Sequence, residues 1–302
     1  MKTISRLLGI LTLIFTTTSY RISPAFGQKS LAPGVATITV STTADEFPVE
    51  PDTDCTLREA IYSANFGDMG GCVRSGSGDV TVYIPEGTYT LTLHGRGEEG
   101  GGTGDLDIYS SMSILGDGIG VTIIDGDDAD RVFDIFAGYL ATVSISELSI
   151  YHGNPDIGNG GAIQNNANLN LTNVRIDSNR TAGNGGGIYH KSGPAPTAPP
   201  RASTDPDFPA SPAIAYSILT LHGSTIANNK ANGYGGGIFN AEHAGMAISH
   251  STIFFNQADY DLNGNGGCGG MNNLSEMDVT LDFVHMSNYC RQGQWWRVLQ
   301  HE

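Results

Sequence analysis

The sequence predicts an all-β fold, a right-handed parallel β-helix (a solenoid) that begins with a short N-terminal capping helix. Three observations lead to this prediction. The second half of the chain repeats at a nearly constant interval, each repeat alternates apolar and polar residues, and one helical pattern precedes them all. Self-similarity at an interval of roughly 20 to 50 residues is typical of stacked repeats, whose raw ends need caps.

The repeat is marked by one isoleucine inside each strand pattern, at Ile150, Ile176, Ile226 and Ile253. The first and last steps between them are nearly equal, and the middle step is about twice as long. The long step contains a Pro-rich insert, 192–215, and matches the other two without it. A Gly-rich motif recurs at the same interval, as GNGGAI at 158–163, GNGGGI at 183–188 and GYGGGI at 233–238. One loop is therefore inserted into a regular array of coils.

Short strands with one face inward explain the pattern within each repeat. The stretches LNLTNVRI (169–176) and LTLHGSTI (219–226) alternate apolar and polar residues, which is the period of a β-strand. Tetratricopeptide or ankyrin units would instead need two helical stripes per repeat. Asn and Gly tolerate the left-handed backbone of sharp corners. We expect the asparagine after each strand to stack from coil to coil as an internal ladder (Asn154, Asn179, Asn229 and Asn256).

The helical pattern is DCTLREAIYSAN, residues 54–65. Thr56 and Glu59 form a capping box, in which each side chain accepts a hydrogen bond from the other residue's backbone amide. An apolar stripe follows at helical spacing (Leu57, Ala60, Ile61 and Ala64), and we expect Arg58 and Tyr62 elsewhere on the surface. A helix this short needs a surface to lie on. We therefore predict an N-terminal cap at 36–80, built around residues 56–61, and a β-helix at 81–290.

The segment 1–27 has the pattern of a secretory signal peptide. Lys2 and Arg6 precede a short apolar run, LLGILTLIF at 7–15, and AFG at 25–27 offers small residues around a cleavage point. The run is too short for a comfortable membrane span, and a retained N-terminal anchor is the alternative. No later stretch approaches the roughly 18 apolar residues of a spanning helix. We expect a soluble mature chain, secreted or held at a bacterial cell surface.

Four cysteines suit an exported protein with one or two disulfides. Cys55 and Cys72 lie on either side of the helical pattern, and we predict that they pair. Cys268 and Cys290 are candidates for a second disulfide. The sequence contains neither a CxxC pair nor a Cys/His spacing that would hold a metal. No metal or other cofactor is predicted, although calcium stays an open alternative.

The charge balance excludes some classes of partner. The chain has 15 basic and 31 acidic residues and a formal net charge of −16. Three of the basic residues lie in the leader, so the mature chain is more acidic still. Such a charge argues against nucleic acid, anionic membranes and long-range attraction of polyanions such as pectate. We expect a monomer whose partner is a cell-surface glycan or protein.

One family resemblance adds to these observations. The stretch TITVSTTADEFPVEPDTDCTLREAIYSAN, followed by VTVYIPEGTYTLTL, TGDLDI, SILGDG and TIIDGDDADRVFDI, resembles the CSLREA-domain proteins. In CTLREA, residues 55–60, only Thr56 departs from the name-giving hexapeptide. The resemblance covers roughly residues 36–273 and implies an exported bacterial β-helix related in fold to pectate lyases. It implies no established reaction, since most members look like adhesin or surface-display modules.

The C-terminal tail, 291–302, departs from that pattern. Its sequence RQGQWWRVLQHE belongs to no repeat. Either the chain is truncated, or four apolar residues form an improvised cap (Trp295, Trp296, Val298 and Leu299). A truncated or decaying fragment without a function of its own is the third interpretation of the whole chain.

Candidate catalytic residues are weak. Asp125 and Asp127 belong to a dense acid cluster in IIDGDDADRVFD, 123–134, which could bind calcium or form an acid pair, yet Asp and Gly are also ordinary turn formers. Asp105 and Asp107 alternate around Leu106, which predicts a solvated strand face.

A second candidate group lies on the repeats. Arg175 and Asp177 point the same way on one strand and could share a face with His152, Arg180 and His190, although an ordinary ion pair is commoner. We predict an exported, non-enzymatic, adhesin-like interaction module. A polysaccharide lyase or glycoside hydrolase is the alternative.

Overall fold

The computed structural model describes residues 36–47, 53–192, 216–291 and 294–296. The predicted signal peptide, the Pro-rich insert apart from Ser192, and Val298 and Leu299 of the tail lie outside these residues. In chain order the elements are β1 (Ala36–Thr39), α1 (Leu57–Phe66), β2 (Val80–Tyr83), β3 (Gly87–Thr90), β4 (Leu106–Ile108), β5 (Met112–Leu115), β6 (Thr122–Asp125), β7 (Phe133–Ile135), β8 (Thr142–Tyr151), β9 (Ile163–Asn165), β10 (Asn168–Asp177), β11 (Arg180–Thr181), β12 (Ile188–His190), β13 (Ile218–His222), β14 (Thr225–Ala227), β15 (Lys230–Ala231), β16 (Ile238–Asn240), β17 (Gly245–Ser249), β18 (Thr252–Phe254), β19 (Met271–Asn273), β20 (Val279–Asp282), β21 (His285–Met286), β22 (Tyr289–Arg291) and β23 (Gln294–Trp296).

Apart from β11 and β15, which pair with each other as a two-stranded parallel sheet, these strands stack into three ladders, which confirms the predicted all-β solenoid. The first ladder runs β1-β2-β5-β8-β10-β13-β17-β20. The second runs β3-β6-β8-β10-β14-β18-β21, and the long strands β8 and β10 take part in both because they cross the corner between them. The third runs β4-β7-β9-β12-β16-β19-β22 and ends in β23, which pairs with β22 antiparallel. From β2 onward each coil contributes to all three ladders, and β8 and β10 each serve two of them.

The repeat seen in the sequence is the register of the second ladder. Ile176 pairs with Ile150 on one side and with Ile226 on the other, and Ile226 pairs with Ile253. All four isoleucines are buried in one apolar core that runs through the coils. The Gly-rich motif is a close-packing requirement: a Cβ on Gly186 would lie 2.4 Å from the carbonyl oxygen of Gly236. Any larger residue there would force neighbouring coils apart.

Helix α1 carries the predicted capping box at its N-terminus. Thr56 accepts from the Glu59 amide, and the Glu59 carboxylate accepts from the Thr56 amide at 2.8 Å. The apolar stripe of the helix is buried, and its neighbours are β1, β2 and β4. The predicted disulfide between Cys55 and Cys72 is present, with 4.7 Å between the Cα atoms. Cys268 is also disulfide-bonded. The Cys290 side chain lies outside the described residues, so their pairing stays a prediction.

The expectation that Arg58 lies on the surface is wrong. Its side chain is 0% exposed and forms a two-pronged ion pair with Asp45, at 2.8 and 3.2 Å. The remaining guanidinium hydrogens are donated to the carbonyls of Gly101, Gly104 and Asp105. The planar guanidinium with five donors can satisfy all of these acceptors at once, which a lysine could not do. Arg58 therefore joins the cap to the first coils.

Asparagines of three successive coils form an internal ladder. The Asn179 side-chain amide donates to Asn229 Oδ1 at 2.9 Å, and Asn229 donates to Asn256 Oδ1 at 3.0 Å. Asn154 takes no place in this ladder, because its register position is filled by Gly153, whose amide donates to Asn179. Asn154 instead donates to the carbonyl of Asp128. Its prediction as a ladder residue is corrected, since it lies one residue further along the corner.

A second internal polar row lies on the third ladder. Its residues share one register position and are 0% exposed (Asn165, His190, Asn240 and Asn273). Asn165 and His190 are hydrogen-bonded through Nδ2 and Nδ1 at 2.8 Å. Burial lowers the pKa of His190 to about 4, so this imidazole is neutral. The proposed face shared by His190 and Arg175 is therefore wrong, since His190 points into the core.

Candidate functional site

The first candidate surface is a groove at the corner between the second and third ladders, which we call the corner groove. One cavity of about 510 Å³ is lined by His94, Arg96, Asp127 and Asp128. A second of about 320 Å³ is lined by residues of the next coils (Asn154, Asp156, Arg180, Thr181, Asn232 and Tyr260). An ion pair between Arg96 and Asp156 connects the two cavities. The groove therefore follows the stacking direction across several coils.

The charged side chains of the corner groove are already paired with one another. His94 Nε2 lies 2.9 Å from Asp127 Oδ2, and Arg180 Nε lies 3.5 Å from Asp128 Oδ1. Both pairs are about half exposed, so each contributes little to stability. Asp127 and Asp128 both have positive φ, of 52° and 54°, which fits the turn that the sequence suggested. Polar groups converge here, and this is the feature that a sugar-binding groove would need.

The weak catalytic candidates are distributed along one row of the second ladder. Asp125 pairs in register with Tyr151, which pairs with Asp177. Two rungs separate the carboxylates by roughly 10 Å, so the structure does not bring them together as a pair. Asp125 binds His152 at 3.0 Å. Asp177 is buried and accepts from Arg175, from Ser178 Oγ at 2.7 Å and from Asn228 Nδ2 at 3.1 Å.

The second candidate is a buried acid cluster at the start of the third ladder. Asp105, Asp107 and Asp134 are only 2–3% exposed, which overturns the expectation of a solvated strand face. Arg131 lies between two of them, with its Nε 2.7 Å from Asp105 and its NH2 group 2.8 Å from Asp134. Burial raises the pKa of Asp105 to about 7 and that of Asp134 to about 6.

Asp107 is the unpaired member of this cluster. Neither of its carboxylate oxygens has a partner in hydrogen-bonding geometry. Burial, followed by the charges of Asp105 and Asp134, raises its pKa to about 8, against a smaller opposing effect of the nearby Gly101 backbone. Such a carboxyl group is protonated at neutral pH, and its ionisation in the folded protein is unfavourable. Perturbed carboxylates mark catalytic sites in many enzymes, but this one is covered from solvent.

The cover is the glycine-rich segment 95–104, which we call the Gly-rich loop. Its Glu98 carboxylate accepts from the amides of Gly102 and Thr103 at 2.9 and 3.1 Å. Arg58 donates hydrogen bonds to two carbonyls of this loop, those of Gly101 and Gly104. The Gly101 backbone of this loop lies close to the Asp107 side chain, and alternation along TGDLDI does not reveal that contact. The loop thus separates the acid cluster from any substrate in the present arrangement.

The third candidate is a row of neighbouring aromatic rings that the sequence analysis did not single out. We call it the aromatic strip (Phe47, Tyr62, Phe66, Tyr109 and Phe136). Successive ring centroids are 5.2, 4.9, 5.7 and 5.8 Å apart. Phe66 is 56% exposed, and the other rings are partly exposed. A contiguous apolar surface with a polar rim marks an interaction site.

A sequence signal for the strip existed on the third ladder. Tyr109 follows Asp107 by two residues and Phe136 follows Asp134 by two, so each ring lies on the same outward face as its acid. These two rings are stacked, with 15° between their planes. Tyr62 and Phe66 are four residues apart on α1, and they face the same side of the helix. The cap and the third ladder each contribute part of the strip.

Two further expectations concern metals and membranes. Within the described ranges, no three or more His, Cys, Asp or Glu side chains are grouped so that they could hold a metal ion. None of the helices in the described part of the chain is long and apolar enough to cross a membrane.

Comparisons with known proteins do not assign the chain. No protein-family model matches it, and neither a curated protein nor a solved structure shows significant similarity to it.

Proposed function

We propose that this protein is an exported β-helix that acts as an interaction module at or outside the cell surface, with the aromatic strip as its contact surface. The observation that carries the proposal is the row of five neighbouring, partly exposed rings on a rigid scaffold. Interfaces are enriched in aromatic residues because these bury much area at a low entropic cost. The resemblance of residues 55–60 to the CSLREA signature supports the same class of protein.

Export is supported by the disulfide between Cys55 and Cys72. Disulfides persist in oxidising compartments and are rare in the cytosol. The signal-peptide pattern at 1–27 also supports export. The partner is a cell-surface glycan or protein, and the module acts as a monomer.

A binding screen with matched variants tests this proposal. The mature chain from Gln28 is offered to immobilised bacterial surface glycans and surface proteins, alone and as Phe66→Ser and Phe255→Ser. Phe255 is 76% exposed and lies outside the strip, so it controls for the loss of any exposed ring. We expect Phe66→Ser to weaken the interactions that the screen finds and Phe255→Ser to leave them unchanged. Interactions that both variants retain in full would contradict a role for the strip.

A second candidate function is a polysaccharide lyase or glycoside hydrolase that works in the corner groove. Its supporting observation is the convergence of His94, Arg96 and Asp127 around one cavity. A product assay on acidic and neutral polysaccharides, with and without calcium, tests it by reading new reducing ends and unsaturated sugars. Turnover that disappears in Asp127→Asn would favour the enzyme over the interaction module.

A further inference from the structure

The aromatic strip lies in an acidic part of the molecule. Residues 36–47 and 53–136, which contain it, hold four basic residues against seventeen acidic ones. Three of the four basic side chains are ion-paired: Arg58 with Asp45, Arg96 with Asp156, and Arg131 with Asp105 and Asp134. The summed field over this surface is therefore negative.

Individual acids border the strip itself. Glu99 accepts a hydrogen bond from the Tyr109 hydroxyl through its carbonyl. Burial and then the charges of Asp107 and Glu99 raise the pKa of Tyr109 to about 12. Glu46 directly precedes Phe47 in the chain and is exposed. Asp107 holds its proton at neutral pH, so the negative charge near the rings comes from Glu99 and Glu46.

We propose that the aromatic strip binds a polysaccharide that carries protonated amino groups. This inference rests on the proposed function and names the ligand class for the same surface. The face of an aromatic ring carries negative charge density, which attracts the C–H bonds of a sugar face and attracts an ammonium group more strongly. The bordering carboxylates add charge complementarity, and they repel uronate polymers.

A basic polypeptide fits the strip less well, because the strip gives an extended peptide no backbone to pair with. β4 is the terminal strand of the third ladder, and its free edge is already occupied. The Asn65 side chain donates to the Asp107 carbonyl at 2.7 Å and accepts from the Tyr109 amide at 2.9 Å. Arg58 donates a hydrogen bond to the Asp105 carbonyl. Strand addition, the usual way for a sheet to bind an extended peptide, is therefore blocked here.

Calorimetric titration of the mature chain tests the inference. The probe is an oligomer of β-1,4-linked glucosamine, titrated at low salt and at a pH where its amines are protonated. The comparison ligands are the fully N-acetylated oligomer of the same length, a β-1,4-glucose oligomer, polygalacturonate and polylysine. We expect binding of the glucosamine oligomer, a loss of affinity at higher salt, and much weaker binding of the acetylated, neutral and acidic polymers.

The variants locate the site. Phe66→Ser should weaken binding of the glucosamine oligomer roughly two- to fivefold, as expected for loss of one exposed cation–π contact, and Phe255→Ser should leave it unchanged. Equal affinity for the acetylated oligomer, equal loss in both variants, tighter strip-dependent binding of polylysine, or no binding of the probe would each overturn the inference. Should the Phe66→Ser variant lose partners in the surface screen while the probe does not bind, the ligand class is wrong and the proposed function stands.

Discussion

At the scale of single residues, the most consequential side chains are charged groups that the fold has taken out of water. Arg58 and Asp107 illustrate two outcomes of such burial. Arg58 has a partner for each donor, so its ion pair and hydrogen bonds offset the cost of taking its charge out of water. The Asp107 carboxylate has none in hydrogen-bonding geometry, so it is tolerated chiefly as the neutral acid.

The Asp107 carboxyl predicts that stability falls as pH rises. Its folded pKa of about 8 lies well above the roughly 3.9 of an unfolded aspartate. Between these values the unfolded state has released the proton and the folded state retains it, so the free energy of unfolding decreases with rising pH. Asp107→Asn should stabilise the protein at pH 9 by roughly 1–3 kcal/mol and change it much less at pH 5. Urea unfolding at both pH values measures this, with exposed Asp79→Asn as control.

We expect substitution of Arg58 to lower the free energy of unfolding substantially. Arg58→Ala leaves Asp45 as an unpaired, nearly buried charge, and removing one partner of a buried pair costs about 3–5 kcal/mol. Arg96→Ala, which removes a half-exposed arginine, should cost less than about 1 kcal/mol. Denaturant midpoints of the two variants give the comparison. Equal midpoints would mean that the Arg58 pair is not formed in solution.

At the scale of elements, the ladders depend on hydrogen bonds that pass from one coil to the next. Asn229 is the central residue of the asparagine ladder and binds both of its neighbours. Its amide also donates to the Ile176 carbonyl at 3.0 Å. A change at this position therefore leaves several buried groups without partners.

Paired asparagine variants test this difference between ladder and corner positions. Asn229→Ala should cost about 2–4 kcal/mol, since more than one buried group loses its hydrogen bond. Asn154→Ala removes one bond, to the Asp128 carbonyl, and should cost about 1 kcal/mol. Thermal or urea unfolding of the two variants measures the difference. Similar losses would show that the aligned asparagines are equivalent after all.

Features that follow from local or repeated sequence patterns could be predicted. The burial of single side chains could not be predicted, because it depends on contacts with distant parts of the chain. The isoleucine interval, the capping box at Thr56 and the pairing of Cys55 with Cys72 depend on local or periodic patterns, and the structure contains all three. Alternation around Leu106 identified the outward face correctly but not the Gly-rich loop that covers it. The predicted surface position of Arg58 was wrong for a similar reason. Helical spacing does not show which other segments pack against the helix.

At the scale of the whole molecule, each coil is in contact mainly with the coils before and after it. Stability in such an array is close to a sum of coil and interface terms, and the ends limit solubility. The cap covers the end at β1 and β4 through α1, and Asn65 and Arg58 occupy the edge of β4. An exposed strand edge would otherwise offer pairing to another chain.

Removal of the cap should therefore promote self-association of the chain as well as lower its stability. A chain that begins at Val80 lacks α1 and β1 and exposes the edges of β2 and β4. We expect this chain to form aggregates that grow with concentration, whereas the chain from Gln28 stays monomeric. Light scattering over a concentration series measures both. A monomeric Val80 chain would show that the cap does not protect this end.

The hydrogen bonds on either side of the Pro-rich insert have a consequence for how such a chain can change over time. The Ser217 hydroxyl donates to the Lys191 carbonyl at 3.0 Å, and the Ser217 amide donates to Ser192 Oγ at 3.2 Å. The two flanks are therefore held together by the coil itself, and β10 still pairs in register with β13 beyond the insert. Since the entropy of closing a loop grows only slowly with its length, segments of very different size can be exchanged at this point. The position is thus a grafting site, where new binding loops can be acquired or engineered without rebuilding the scaffold.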